Sequence, residues 1–276
     1  MSTDKAAQAV PPHPVLAGHY QAADQRVGYI RRLFDESASS YDRINAWMSL
    51  RTGDRYRYDA LSRTGLCPGQ TVLDIACGTG VMAAYAQDLV APTGIVLALD
   101  PSLPMLTEAR NRGVRTRIAG VAEALPVADA SADLISMGYA LRHMADLRVG
   151  FGEMLRVLRP GGRLLILEMV PPRSVLGYTI AKIYLKHLVP TVTAWVTRNA
   201  QARRLMEYYW ETVDLCVPPT VVLNTLREVG FDAVQRSIMF GLFTEYTARR
   251  PDAPEAPEAP EAPDIQSDCG MKTLPP

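Results

Sequence analysis

The stretch VLDIACGTGV, at Val72–Val81, constrains the fold of this chain more than any other. It begins within the apolar run Thr71–Ile75, which predicts a short buried strand, and a helix is predicted from about Thr79. The glycine-rich turn between the two allows a ligand to approach the backbone closely. We therefore expect an α/β protein whose ligand binds at the carboxyl end of this strand.

Strand-like and helix-like segments alternate along most of the remaining chain. Strands separated by helices of this length predict a parallel, doubly wound sheet with helices on both faces. Thr220 is expected to cap a late helix that stops at Gly230, because a hydroxyl favours a helix start and glycine a helix end. Further strands are predicted at Ile95–Asp100, Val114–Ala119, Leu134–Gly138 and Arg163–Met169, and an antiparallel edge hairpin at Asp232–Ile238 and Phe243–Ala248.

Three segments do not follow this alternation. Residues 1–20 are rich in alanine and proline, and we expect them to be disordered. Residues 251–276 contain the repeat APEAPEAPEAPD, in which the glutamates repel one another and each proline lacks a backbone donor, so an extended tail is expected. Residues 171–217 are weakly patterned and are interpreted as an inserted helical cap that contributes to the substrate site. The sequence thus predicts one domain over residues 21–250.

The overall charge argues against nucleic acid as the main partner. Lys and Arg total 29, as do Asp and Glu, whereas nucleic-acid binding depends on an excess of cations facing phosphates. The four cysteines are scattered without metal-ligand spacing, which predicts reduced thiols and no metal site. Neither a secretory signal nor an apolar run of the ~18 residues that span a bilayer is visible, so a cytoplasmic protein is expected. Peripheral contact with a membrane and assembly into a homodimer are both compatible with the sequence.

Asp74 distinguishes between the ligands that such a turn could bind. Asp100 ends the next strand about twenty residues after Gly80, where an acid accepts hydrogen bonds from ribose hydroxyls in dehydrogenases and methyltransferases alike. A dinucleotide would place its pyrophosphate against the turn, where the Asp74 carboxylate would repel it. S-adenosylmethionine has no phosphate and offers an ammonium and a sulfonium group, which favour a nearby anion. Asp74 therefore favours S-adenosylmethionine, and a role in bonding the N–H groups of the turn is compatible with this one.

Several motifs together resemble one methyltransferase family. VLDIACGTG resembles the first motif of class I S-adenosylmethionine-dependent methyltransferases, and later motifs narrow the resemblance to the quinol C-methylases of ubiquinone and menaquinone biosynthesis, the UbiE/COQ5-like family. The resemblance covers roughly Tyr29–Arg250, and motifs that match in order make a chance match improbable. The later motifs are FDESASSYDRINAWMS (Phe34–Ser49), AEALP (Ala122–Pro126), GYALRHMAD (Gly138–Asp146), LRPGG (Leu158–Gly162), LILE (Leu165–Glu168) and LREVGF (Leu226–Phe231).

The resemblance implies a Rossmann-like fold with a seven-stranded, mostly parallel sheet and one antiparallel strand near its edge. It also implies S-adenosylmethionine as the cofactor, with its methionine end near the glycine-rich turn and its ribose on Asp100. Val121 stands where the family usually has Asp or Asn, so the adenine amine is expected to rely on backbone groups or on Glu123. The residues that the resemblance assigns to the cofactor are Asp74, Ala76, Gly78, Gly80, Asp100, Pro101, Ser102, Val121, Ala122 and Glu123.

Arg142, His143 and Tyr41 are the candidate catalytic residues. The segment Ala140–His143 corresponds to the family's GLRN segment, which faces the acceptor. A C-methylase must remove a proton from a ring hydroxyl, and histidine, with an unperturbed pKa of ~6.5, is a natural base. Arginine stays protonated, so Arg142 is expected to stabilise the developing oxyanion. His143 could instead be a structural hydrogen-bonding group, and Tyr41 either bonds a ligand or anchors its helix to the core.

The sequence therefore predicts methyl transfer from S-adenosylmethionine to a small hydrophobic aromatic or lipid acceptor. C-methylation of a quinol-like ring is the leading interpretation. The nearer alternative is an O- or N-methyltransferase of a phenolic natural product or a lipid. A nicotinamide-dependent oxidoreductase is disfavoured by Asp74, and a non-catalytic binder that keeps the cofactor fold is a further alternative.

Overall fold

A seven-stranded sheet forms the centre of the computed structural model of this chain, which describes residues 8–48, 53–192, 200–239 and 241–252. The strands are β1 (Thr71–Ile75), β2 (Ile95–Asp100), β3 (Thr116–Ala119), β4 (Ala132–Gly138), β5 (Leu158–Met169), β6 (Asp232–Met239) and β7 (Phe243–Arg249). They lie in the order β3-β2-β1-β4-β5-β7-β6. The first five strands pair in parallel, and β7 runs antiparallel to both of its neighbours. The predicted sheet and its edge hairpin are confirmed.

Helices cover both faces of the sheet. They are α1 (Gln25–Met48), α2 (Gly53–Arg63), α3 (Val81–Val90), α4 (Leu103–Asn111), α5 (Leu147–Val157), α6 (Val175–Lys182), α7 (Ala200–Asp214) and α8 (Pro219–Val229). Successive side chains of a strand point to opposite faces, so Leu73 joins the core under α5 and α8 while Val72 joins the core under α2, α3 and α4. Burial on both faces explains why the parallel strands read as continuous apolar runs.

The ends of two helices differ from the sequence prediction. Helix α3 begins at Val81, because Gly80 has the left-handed φ of 79° and cannot continue a helix backwards towards Thr79. Helix α8 begins with Pro218 at its N-cap and proline in its first turn, so Thr220 is inside the helix and is not its cap. Proline suits the first turn because its fixed φ is helical and its missing N–H would be unpaired there anyway. The predicted stop at Gly230 is confirmed by its left-handed φ of 115°.

The described parts of the predicted cap, residues 171–192 and 200–217, are mainly helical and share a hydrophobic cluster with α1 and the N-terminal segment. Helix α6 continues as the π-helical stretch Ile183–Leu188, and α7 packs Tyr208 against Tyr29 of α1 and Trp210 against Tyr178 of α6. Among the described residues, no helix is long and apolar enough to cross a membrane.

The N-terminal segment also packs against this cap, from the first described residues onward. Leu16 and Tyr20 are buried in the cap core, and the carbonyl of Pro12 accepts a 2.7 Å hydrogen bond from the Val217 N–H. For residues 8–20 this packing differs from the expected disorder, because the two apolar anchors are supplemented by hydrogen bonds such as that from the Leu147 N–H to the Val10 carbonyl. Residues 1–7 and the predicted tail from residue 253 lie outside the described part of the chain.

Candidate active site

Asp74 lies in a cleft at the carboxyl ends of the central strands and is 1% exposed. Its Oδ1 accepts a 2.7 Å hydrogen bond from the Ser136 hydroxyl on β4. Its Oδ2 is buried, and no hydrogen bond reaches it from the part of the chain that the structure describes. Burial raises the pKa of Asp74 to about 7. The nearby backbone N–H of Ala83 lowers this pKa without forming a hydrogen bond to Oδ2. An unpaired buried carboxylate oxygen is costly, and a cationic ligand would remove that cost.

The turn after β1 is held in an unusual backbone conformation. Ala76 has a φ of 52° and Gly78 a φ of 55°. For alanine this costs roughly 1–2 kcal/mol, and such strain concentrates at functional sites. A Cβ built on Gly78 would meet nothing within 4 Å, so open space lies over the turn. The turn therefore presents bare backbone to whatever occupies the cleft.

Asp100 holds this turn in place from the end of β2. It is 6% exposed, and its two oxygens accept 2.8 Å hydrogen bonds from the N–H groups of Gly78 and Ser102. Burial raises the pKa of Asp100 to about 6, and these two N–H groups lower it. Ser102 in turn caps α4 by accepting from the Met105 N–H at 3.2 Å. Each carboxylate oxygen keeps a lone pair for a ligand hydroxyl, because two sites on each oxygen accept hydrogen bonds.

The predicted cofactor residues lie along one continuous cleft. Three adjoining cavities of ≈ 430, 510 and 560 Å³ form it, and Ala76 borders all three. The cleft is lined by nine of the ten residues that the resemblance assigned to the cofactor: Asp74, Ala76, Gly78, Asp100, Pro101, Ser102, Val121, Ala122 and Glu123.

Gly80 is the tenth residue, and it faces α4 rather than the cleft. A Cβ at Gly80 would lie 2.7 Å from Cγ2 of Val114 and 2.9 Å from Cβ of Ala109. Its glycine is therefore required for close packing of the turn on α4. The cofactor contact expected for Gly80 is not supported by this geometry.

Glu123 is committed to a neighbouring loop. Its Oε1 accepts hydrogen bonds from the backbone N–H groups of Ala145 and Asp146, the latter at 3.4 Å. These bonds fix the loop that follows β4 and contains His143. Through Oε1 the side chain thus stabilises the outer wall of the cleft.

Arg142 is buried and fully paired. Its guanidinium makes an ion pair with Glu168 on β5, donates from Nε to the Thr212 hydroxyl at 3.2 Å and lies 4.3 Å from the ring centroid of Tyr209. Burial lowers the pKa of Arg142 and Glu168 raises it, with a net value above the usual one. The side chain is 1% exposed. Among the described residues that line the cleft and the apolar cavity described below, Arg142 does not occur. Arg142 is thus placed to brace the loop after β4, and the geometry does not support the expected oxyanion contact.

His143 forms part of the wall between the cleft and the cap. Its ring stacks on Tyr208 at 5.6 Å between centroids, meets Phe34 edge-on at 5.2 Å, and its Nδ1 lies 3.3 Å from the Tyr208 hydroxyl. Burial, followed by the positive charges of Arg142 and Arg26, lowers the pKa of His143 well below 6.5. The imidazole is therefore neutral at physiological pH and a weak base, which differs from the expected match between its pKa and the working pH.

Helix α1 covers the glycine-rich turn. Asp42 accepts a 2.6 Å hydrogen bond from the Thr79 hydroxyl and makes an ion pair with Arg112, whose Nε donates to the Thr79 carbonyl at 2.8 Å. The residue before Asp42 on the same helix, Tyr41, borders the cleft. The N-terminal signature in the sequence thus lies directly over the site.

A second, apolar cavity of ≈ 610 Å³ adjoins the cleft under the cap. We call it the apolar cavity; its walls are Tyr41, Gly53, Arg57, Tyr139, Met169, Ala181, Tyr184, Leu185, Tyr209, Leu242 and Phe243. Tyr41, Arg57 and Tyr139 also border the part of the cleft that contains Asp74. These three side chains therefore stand where the two spaces meet.

Arg57 was not found by sequence reasoning. It lies on α2, its Cζ is 4.9 Å from the ring centroid of Tyr139, and its Nη1 is 3.5 Å from the carboxylate of Asp54. No motif or spacing marks it in the sequence, because only the packing of α2 against α3 brings it to the site. Tyr139 lies in the motif GYALRHMAD, and its φ of 61° is a strained conformation that the sequence does not show.

The model of the ubiE/COQ5 methyltransferase family matches residues 20–248. The chain belongs to this family. A demethylmenaquinone methyltransferase of Symbiobacterium thermophilum is 31% identical over 227 residues, which are 78% of this chain and 90% of that protein. A demethylmenaquinone methyltransferase of Deinococcus radiodurans is 32% identical over 218 residues, which are 77% of this chain and 89% of that protein.

Solved structures support the fold. A protein of Thermotoga maritima described as a possible histamine N-methyltransferase superposes with a TM-score of 0.57 at 21% identity, covering 80% of this chain and 99% of its own. The [4+2]-cyclase SpnF superposes with a TM-score of 0.60 at 16% identity, covering 88% of this chain and 100% of its own. At these identities the likeness shows the class I methyltransferase fold alone.

Family membership and fold make this chain an S-adenosylmethionine-dependent methyltransferase. The residues of the cleft fit that cofactor. The buried, unpaired Oδ2 of Asp74 suits an ammonium group, and the open backbone at Gly78 leaves room for a ligand. No cluster of three side chains able to bind a metal occurs among the described residues.

Proposed function

We propose that this methyltransferase methylates a ring carbon of a quinol-type acceptor that binds in the apolar cavity. The observation that supports this most directly is the junction at which Tyr41, Arg57 and Tyr139 border both the cleft and the apolar cavity. The aromatic and aliphatic walls suit a flat ring with an apolar substituent. The names of the two relatives, both demethylmenaquinone methyltransferases, support the same type of acceptor.

The cleft residues bind the cofactor in this proposal. Asp74 accepts a hydrogen bond from the ammonium of the methionine end through its unpaired Oδ2. Asp100 accepts hydrogen bonds from the ribose hydroxyls. The adenine lies in the ≈ 560 Å³ cavity of the cleft, beside Val121 and Glu123. When bound, S-adenosylmethionine supplies an electrophilic methyl group on a sulfonium.

The apolar cavity activates the acceptor. A ring carbon becomes nucleophilic when a ring hydroxyl loses its proton to solvent water as the acceptor enters, and a nearby fixed cation favours the ionised form. Once methylated, the same carbon releases its hydrogen to solvent as a proton, which restores the aromatic ring. Arg57 provides that cation at the junction. Burial raises the pKa of Tyr139 above its usual range, so its hydroxyl stays protonated and can donate a hydrogen bond to the oxyanion. The wall residues exclude water, which strengthens both interactions.

In this proposal Arg142 and His143 contribute indirectly, by holding other parts of the site in place. The ion pair of Arg142 with Glu168 fixes the start of the loop, and the stacked ring of His143 shapes a wall of the cofactor cleft. Both are positioning residues, because neither presents a free charge to the junction.

Replacing Arg57 with Gln tests this assignment. We expect kcat to fall by about 10²-fold, as for loss of one oxyanion donor, while the Kd for S-adenosylhomocysteine changes less than about threefold. Arg55→Gln is the matched control, because Arg55 lies on the same helix with its side chain 89% exposed. The assay is steady-state methylation of a reduced naphthoquinone that lacks the ring methyl. An Arg57→Gln enzyme with unchanged kcat would overturn the assignment, and a methoxy product would indicate O-methylation instead.

A further inference from the structure

The outer face of α6 and its π-helical continuation, residues 175–188, presents a row of apolar side chains to solvent. We call this segment the cap helix. Leu176, Ile180 and Ile183 follow one another at i, i+4 and i+7, and they are 72%, 59% and 56% exposed. Single exposed apolar residues are ordinary, but a contiguous row on one helix face marks an interaction surface.

The cap helix also lies in the longest stretch of the chain that has cations and no acids. Between Glu168 and Glu207 the sequence contains six Lys or Arg residues and no Asp or Glu, whereas the whole chain has 29 of each sign. Two of the chain's four lysines, Lys182 and Lys186, lie on the cap helix itself. An apolar row flanked by lysines is the pattern of a helix that lies in a membrane interface and is attracted by anionic lipid.

The inner face of the same helix forms a wall of the apolar cavity. Ala181 and Leu185 are buried there and Tyr184 lines the cavity beside them. The exposed row and the cavity wall are therefore opposite sides of one helix, less than a helix diameter apart, on the order of 10 Å. An acceptor embedded in lipid under this helix would be next to the cavity.

We propose that the cap helix docks the enzyme on a bilayer containing anionic phospholipid, so that a quinol with a long apolar tail enters the apolar cavity from the lipid. This rests on the proposed function and specifies the source of its substrate. Leu176, Ile180 and Ile183 insert among the acyl chains, while Lys182 and Lys186 pair with lipid phosphates. A second copy of this chain is a poorer occupant, because a twofold contact on this face would bring cations against cations.

Vesicle flotation tests the docking face. The wild type is expected to bind vesicles of phosphatidylcholine with phosphatidylglycerol, to bind phosphatidylcholine alone weakly, and to lose affinity as salt rises. Lys182→Gln with Lys186→Gln should weaken binding about fivefold per lysine, and Leu176→Ser with Ile180→Ser should abolish flotation. The matched controls are Arg55→Gln with Arg115→Gln, and Ile95→Ser with Val149→Ser, all at exposed positions away from the cap helix.

Equal flotation of the cap-helix variants and their controls would overturn the proposal. So would the absence of wild-type binding to anionic vesicles. A dimer in solution that Leu176→Ser with Ile180→Ser converts to monomers would show that a second copy covers this face.

Two acceptors separate this proposal from the proposed function. With a tail-less quinol in solution, the cap-helix variants should keep wild-type kcat/KM, because none of the substituted residues lines the cavity. With a long-tailed quinol in anionic vesicles, their rates should fall in parallel with binding. Turnover of neither acceptor, with flotation as expected, would refute the proposed function and leave the docking face standing. Unaltered turnover of the long-tailed acceptor by variants that no longer float would refute entry from the lipid.

Discussion

Replacing Asp74 with Asn should have two opposite effects: it should weaken cofactor binding, and it should stabilise the protein without cofactor. Burial raises the pKa of Asp74 from 3.8 to about 7, so the free protein holds a charge in a place that disfavours it. Three pKa units at about 1.4 kcal/mol each set an upper limit of about 4 kcal/mol on that cost at pH 8. Asn keeps an acceptor for Ser136 but places an unpaired amide beside it, so a net gain of about 1–3 kcal/mol is expected.

The pH dependence of this gain follows from the direction of the shift. The folded-state pKa of Asp74 lies above the unfolded value, so stability falls as pH rises from about 4 to about 7 and is constant above that. The advantage of Asp74→Asn should therefore be absent near pH 4 and complete by pH 8. For a chain of this size it corresponds to a rise in Tm of roughly 2–10 °C.

Cofactor affinity should change in the opposite direction. Loss of one charge-assisted hydrogen bond to the ammonium corresponds to about a 10- to 150-fold increase in the Kd of S-adenosylhomocysteine. Isothermal titration calorimetry at pH 8 measures the affinity, and calorimetric unfolding without ligand across pH 4–8 measures the stability. Asp88→Asn, an exposed change on α3, is the control. A loss of stability at pH 8 would show that the buried charge of Asp74 does not destabilise the free protein, and unchanged affinity for S-adenosylhomocysteine would show that Asp74 does not bind the ammonium group.

Two further substitutions test the roles of the loop after β4. Glu168→Gln leaves the buried Arg142 guanidinium without a charged partner, so urea unfolding should show that the free energy of unfolding falls by about 3–5 kcal/mol. A fall of less than about 1 kcal/mol would show that the ion pair does not stabilise the loop. His143→Asn should change kcat less than about tenfold and leave the shape of the pH–rate profile unaltered, because the imidazole is already neutral; a loss of 10²-fold or more, as for a missing general base, would restore its catalytic role.

The sheet was predictable from the sequence because its strands are buried on both faces. Runs such as Ile95–Asp100 can satisfy their backbone and bury their side chains only as inner strands of a parallel sheet. The positions of Asp74 and Asp100 followed, since the carboxyl ends of parallel strands meet at one edge. This part of the site depends on topology, which short-range patterns specify.

The rest of the site depends on tertiary packing, which those patterns do not specify. The sequence singles out the motif with Arg142 and His143, but a motif does not show that Glu168 and Tyr208 contact the polar groups of these two side chains. Arg57 reaches the junction only through the placement of α2. The packing of residues 8–20 was missed because their buried anchors, Leu16 and Tyr20, are two isolated residues in a stretch whose composition is typical of disorder.

Methylation of a ring carbon is tested most directly by the nuclear magnetic resonance spectrum of the product made with S-adenosylmethionine labelled at its methyl carbon. With a demethylated quinol as acceptor, we expect a labelled methyl group bonded to a ring carbon. A labelled methoxy group, or no transfer to any quinol while S-adenosylmethionine binds, would contradict this expectation.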